Sequence, residues 1–130
     1  MLDHIGVPIR DIEKSRAFYD RALAPLGIKR MMNIGPHNSP VSSGFDASGY
    51  GDGDRFSFWI DVKPFYKLHF AFSAQSRAMV DAFYQAALAA GGRDNGEPGP
   101  RPHYHKNYYG AFVLDPDGHN VEAVCRKPEV

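Results

Sequence analysis

Apolar and other residues alternate with a period of two at the start of each half of the chain, in His4-Ile5-Gly6-Val7-Pro8-Ile9 and in Leu68-His69-Phe70-Ala71-Phe72. This is the pattern of a half-buried strand, with each histidine pointing away from its apolar neighbours. Helical spacing follows in both halves. Ile12, Phe18, Ala22 and Leu26 come after Asp11, and Met79, Val80, Phe83, Ala87 and Leu88 come after Ser76, each polar residue being suited to cap a helix. Gly27 and Gly91-Gly92 are the stop signals. Strands close each half, Arg55 to Ile60 in the first and Asn120 to Val124 in the second, each after an Asp-Gly turn. Phe56, Phe58 and Trp59 read as core or interface, and the helical Phe18-Tyr19 and Phe83-Tyr84 as packing. Two stretches rich in Gly and Pro, Gly35 to Gly53 and Gly91 to Pro102, read as loops, the second a candidate lid over residues 92–108.

The halves are copies. Displacing the sequence by 65 residues superposes His4 on His69, Ala17-Phe18-Tyr19 on Ala82-Phe83-Tyr84, Ala22-Leu23-Ala24 on Ala87-Leu88-Ala89, Gly27 on Gly92 and Asp52-Gly53 on Asp117-Gly118. Chance would scatter about four identities over such an overlap, and these cluster in matching elements. The reading is an α+β chain of two tandem βαβββ modules, about 1–62 and about 66–130, joined by the short Asp61-to-Phe65 connection into one domain spanning 1–130.

Three residues carry the chemistry. His4, His69 and Glu122 each sit among apolar strand neighbours, so alternation sends each alone to the opposite face. Two imidazoles and one carboxylate on a shared concave face form a facial triad that holds a divalent metal and leaves positions open for an oxygen-chelating substrate. Such ligands suit Fe, Mn, Ni, Co or Zn alike. Arg101, His103, Tyr104, His105, Tyr108 and Tyr109 crowd together ahead of Asp115 and offer an anion clamp and proton donors. Arg101, His105 and Tyr109 are taken as the candidate catalytic residues; His119 and His37 lie in turns and are read as exposed.

His4 in Asp3-His4-Ile5-Gly6-Val7, His69 in Leu68-His69-Phe70-Ala71-Phe72, and the run Asp115-Pro116-Asp117-Gly118-His119-Asn120-Val121-Glu122 resemble the glyoxalase/bleomycin-resistance/dioxygenase superfamily, the vicinal oxygen chelate proteins. The resemblance implies paired βαβββ modules curled into an open barrel around a divalent metal, with ligands matching His4, His69 and Glu122. It does not imply one reaction, since the fold serves isomerases, thiol transferases, dioxygenases, epimerases and metal-free drug binders. The 65-residue repeat places Ser57 opposite Glu122, where similar lactoylglutathione lyases carry a glutamate that is fourth ligand and base. Serine cannot abstract that proton, which speaks against orthodox glyoxalase I activity.

Composition narrows the partners. Fifteen basic and fifteen acidic side chains cancel, with no basic block to track phosphates, so nucleic acid is not expected. No apolar run approaches the roughly 20 residues of a membrane span, and a soluble cytoplasmic protein is expected. Cys125 is the one cysteine, so any metal is held by nitrogen and oxygen. Exposed sheet edges favour a homodimer. The leading functional reading is a metal-dependent lyase, isomerase or dioxygenase acting on a small chelating substrate. A metal-free protein that sequesters a small molecule, and a scaffold with a vestigial site, are the alternatives.

Overall fold

Asp11 accepts the backbone N–H groups of Glu13 and Lys14, and Ser76 accepts that of Met79, so both helices start on the side-chain caps read from the sequence. The structure is a computed structural model, and it describes residues 3–35, 46–53, 56–62 and 66–129. In chain order the elements are β1 (Ile5–Ile9), α1 (Ile12–Ala22), a short 3-10 turn, β2 (Lys29–Ile34), β3 (Ala47–Gly51), β4 (Phe56–Val62), β5 (His69–Ser73), α2 (Arg77–Ala89), β6 (Arg93–Pro100), β7 (Tyr109–Leu114) and β8 (Asn120–Cys125). Two four-stranded sheets result, ordered β1-β4-β3-β2 and β5-β8-β7-β6. Each is one βαβββ module, with its first and last strands parallel and side by side. No described helix is long and apolar enough to cross a membrane.

The two sheets meet through their back faces. Phe58 of β4 touches Phe70 and Phe72 of β5, at ring-centroid distances of 5.3 and 5.1 Å, and Tyr19 of α1 packs on Phe58 at 5.0 Å. Gly92 lies so close to Phe18 and Val113 that a Cβ there would fall at 2.7 and 2.5 Å from their side chains. Helix α1 of the first module is therefore pressed against the second. Val7, Ile9, Ile60, Val80, Val121 and Ala123 complete this shared core. Because alternate strand residues face opposite ways, the polar faces of the two sheets point outward in different directions.

Asp115-Pro116-Asp117-Gly118-His119 is the clasp between the modules. Asp115 accepts the Tyr19 hydroxyl at 2.8 Å, and Asp117 accepts the backbone N–H of Arg10 at 3.2 Å. His119, expected to be exposed, is fully buried. Its Nδ1 accepts the N–H of Leu68 at 2.9 Å and its Nε2 bonds the carbonyl of Pro8, so one ring ties β1 to the start of β5. A turn is exposed only when nothing packs on it, and here the first module does.

Two further expectations are corrected. Within the stretch read as the loop Gly91 to Pro102, Arg93–Pro100 form β6, paired with β7 through an irregular register that absorbs its glycines and prolines, and the connection shrinks to 101–108. The stretch Gly35 to Gly53 likewise contains β3. His37, Arg55 and residues 63–65 of the connection lie outside the described residues.

Candidate metal centre

Pairing across β5, β8 and β7 sets the outward face of the second sheet. His69 lies opposite Asn120, Ala71 opposite Glu122, and Phe112 opposite Glu122 from the other side, so His69, Glu122 and Phe112 share a face. His69 Nε2 and Glu122 Oε1 are 3.4 Å apart. Two ligands bound to one ion at about 2.1 Å each stand roughly 3.0–3.4 Å apart for octahedral to tetrahedral angles, so this pair fits a shared metal. The imidazole is set for it. His69 Nδ1 lies 3.0 Å from the carbonyl of Asn120, which fixes that nitrogen as the N–H donor and leaves the Nε2 lone pair facing Glu122.

Glu122 is 2% exposed, and a buried carboxylate needs partners. Its second oxygen, Oε2, accepts the Tyr108 hydroxyl. Gly110 of β7 makes room for this arrangement, since a Cβ there would lie 3.1 Å from both Oε2 and the Tyr108 ring. Burial, and then the bond to the Glu122 carboxylate, push the Tyr108 hydroxyl up to about 12. The phenol therefore stays protonated at neutral pH and donates. Oε1 is left toward His69. An open cavity of about 430 Å³ lies over the pair, lined by His69, Tyr104, Tyr108, Phe112, Glu122 and Arg126, all from the second module. A larger hollow of about 490 Å³ beside the 3-10 turn holds the Asp20–Arg30 ion pair and brings no histidine to it.

His4 is elsewhere. It precedes β1, is exposed, and its Nδ1 bonds Asp3 at 2.8 Å, which again leaves Nε2 free. It continues the face of Gly6 and Pro8, opposite to Val7 and Phe58, and among the described residues it forms no ligand-distance group with His69 and Glu122. The structure thus brings His69 and Glu122 together and does not bring His4 to them within one chain.

Arg101, His105 and Tyr109 do not line the cavity over His69 and Glu122. Arg101 donates to the carbonyls of Gly99 and Glu97 and lies over Phe112, bracing the β6–β7 hairpin behind the cavity wall. His105 accepts the N–H of Asn107 within the loop. Tyr109 faces the helix layer, donating to Asp81 of α2 at 2.7 Å with Arg77 over its ring. Its neighbour Tyr108 is the tyrosine at the site. Strand alternation could have separated the two, had the start of β7 been known.

The partner assigned to Glu122 by the repeat is also corrected. With β1 superposed on β5, Gly6 corresponds to Ala71; Gly6 pairs with Trp59 and Ala71 pairs with Glu122. Trp59, not Ser57, is the counterpart of Glu122. A bulge at Ser57 takes Gly51 onto Phe56 while Tyr50 pairs with Phe58, and Phe56 lies against Trp59 at 5.2 Å. Neither Ser57 nor Trp59 is a carboxylate.

Asp115, Asp117 and His119 also offer ligand atoms within 4.8 Å of one another. The histidine has no lone pair left for an ion. Both His119 nitrogens bond backbone groups, and Asp115 accepts the N–H groups of Asp117 and His119 as well as the Tyr19 hydroxyl. This cluster is the clasp described above.

A two-sheet βαβββ pair with a His–Glu site on an outward strand face is the architecture of the vicinal oxygen chelate class. The chain belongs to the Glyoxalase/Bleomycin resistance protein/Dioxygenase superfamily, whose family model matches residues 1–123. A glyoxalase/bleomycin resistance protein from Albidiferax ferrireducens T118 is similar at 29% identity and TM-score 0.77, over 98% of this chain and 99% of that one. The E144Q mutant of glyoxalase I from Zea mays is similar in fold, at 22% identity and TM-score 0.70, over 95% of this chain and 46% of that one. A glyoxylase/bleomycin resistance protein/dioxygenase domain from Frankia sp. EAN1pec follows at 16% identity and TM-score 0.70, with 96% of each chain covered. No curated protein matches.

Proposed function

We propose that this protein is a divalent-metal enzyme of the lyase, isomerase or dioxygenase type, acting on a small substrate that chelates through neighbouring oxygens. The observation that carries the reading is the His69–Glu122 pair, with Nε2 of the histidine and Oε1 of the carboxylate turned toward each other at 3.4 Å. His69, Glu122 and His4 are the ligands in this reading. Since His4 lies on an outward face of the other module, a second copy supplies it, the first module of one protomer closing over the second module of its partner. The assembly is then a homodimer with two equivalent sites.

A bound divalent ion would supply Lewis-acid stabilisation to oxyanionic or enolate-like oxygens. Tyr108 holds the Glu122 carboxylate in one orientation, and its ring and that of Phe112 wall the cavity. Across the interface, Phe56 and Trp59 would form the apolar side of the same groove.

Metal analysis of the purified wild type and of Glu122→Gln, with melting temperature before and after chelator, tests the proposal. The wild type should carry metal and lose thermal stability with chelator, while Glu122→Gln should be metal-poor, folded and indifferent to chelator. A metal-free wild type whose melting temperature ignores chelator would favour the small-molecule binder instead.

A further inference from the structure

Arg126 follows β8 directly and lines the cavity over His69 and Glu122. Its guanidinium is stacked over the Tyr108 ring, 4.9 Å from the centroid. It makes no ion pair or hydrogen bond with any described residue. Arg16 is engaged with Glu13 and Ser48, Arg30 with Asp20, Arg77 with Glu129, and Arg101 with two carbonyls, whereas Arg21 and Arg93, also without such a partner among the described residues, do not line the cavity. Glu122, the nearby carboxylate of the cavity, is already taken by Tyr108 and His69. Arg126 is thus oriented by an aromatic face and left with its hydrogen-bond fork unspent beside the site.

We infer that Arg126 is the specificity-determining residue for an anionic substrate, gripping a carboxylate or similar oxyanion on a molecule whose neighbouring oxygens meet the metal. The inference rests on the metal reading above and deepens it. A divalent ion held by a single carboxylate leaves the centre net positive, and the guanidinium adds to that charge, so a ligand bearing an acid group beyond its chelating oxygens gains from both. Tyr104 and Tyr108, whose rings lie 5.1 Å apart, leave apolar surface for the body of the molecule.

The test uses protein loaded with Co(II), whose visible absorption reports chelation. Catechol is compared with two catechol carboxylates, the acid group beside the diol in one and across the ring in the other, and with the neutral amides of both. Wild type should bind at least one carboxylate about tenfold or more tightly than its amide, a margin consistent with one charge-assisted pair. Arg126→Gln should erase that preference while keeping Co(II) affinity and catechol affinity; Arg126→Lys should restore part of it. Equal binding of acids and amides by wild type, or a preference surviving in Arg126→Gln, overturns the inference and leaves the metal reading standing. Failure of wild type to bind Co(II) at all overturns both.

Discussion

The hydroxyl of Tyr108, the last residue of the 101–108 loop, donates to Oε2 of Glu122 in the middle of β8, so a buried carboxylate is oriented by the residue that leads into the neighbouring strand. Partners that orient a metal ligand are worth about 10- to 100-fold in metal affinity when removed. Tyr108→Phe should weaken metal binding by that range and leave Oε2 buried without a donor, costing about 1–3 kcal/mol of stability in the metal-free protein. Metal titration and denaturant unfolding read the two effects separately, and unchanged affinity would reduce Tyr108 to a packing role.

Sharing of the site between protomers predicts complementation. His4→Ala and His69→Ala homodimers should each be metal-poor, because every site lacks one imidazole. Unfolding and refolding them together should give heterodimers with one intact site, His4 from one chain meeting His69 and Glu122 of the other. Metal content should then recover to about a quarter of wild type, since half the dimers are mixed and each restores one of two sites. No recovery would place all three ligands in one chain, against the face assignment above.

His119 is predicted to be structural. His119→Ala removes the acceptor of the Leu68 N–H and the partner of the Pro8 carbonyl, both at the buried seam between modules. The cost should be about 3 kcal/mol. Metal content of the folded fraction should stay at the wild-type level. A metal loss matching that of Glu122→Gln would move the centre to the Asp115–Asp117–His119 clasp.

Alkaline pH should unfold the protein through its buried phenols. Tyr19 is raised well above its ordinary value by burial and then by Asp115, and Tyr50 is raised by burial and then by Asp20. An unfolded phenol ionises near about 10. Raised folded values mean that this contribution to stability is fully present below that pH and is lost as pH rises through it, because the unfolded chain then binds fewer protons. Phenolate absorbance and circular dichroism, followed together, should show these two tyrosines ionising only as the fold is lost. Ionisation of every tyrosine well before unfolding would contradict the hydrogen bonds to Asp115 and Asp20.

The elements legible in the sequence were those set by local physics. Strand alternation placed Val7 and Val121 in the core and Phe70 against it, and Asp11 and Ser76 capped their helices from adjacent residues. The repeated pattern revealed two modules, and the Asp-Pro-Asp-Gly run with its following glutamate marked the family. What escaped was decided across the chain. Ser57 was misassigned because a bulge in β4 answers to its partner strand, which no comparison of one half with the other contains. The β6 residues looked like loop because their glycines and prolines are tolerated only through an irregular pairing with β7. His119 looked exposed because its burial depends on β1, more than a hundred positions away.

Residue types, their periodicity and the duplication were therefore enough to determine the module, its count and two residues that face each other, His69 and Glu122. Tertiary structure alone decided that Tyr108 and not Tyr109 meets that pair, that Arg126 stands beside it, and that His4 turns away. Periodicity tells which side of its own strand a residue takes. Which sheet, and which copy of the chain, that side then faces depends on how the back faces pack, here through Phe58 against Phe70 and Phe72.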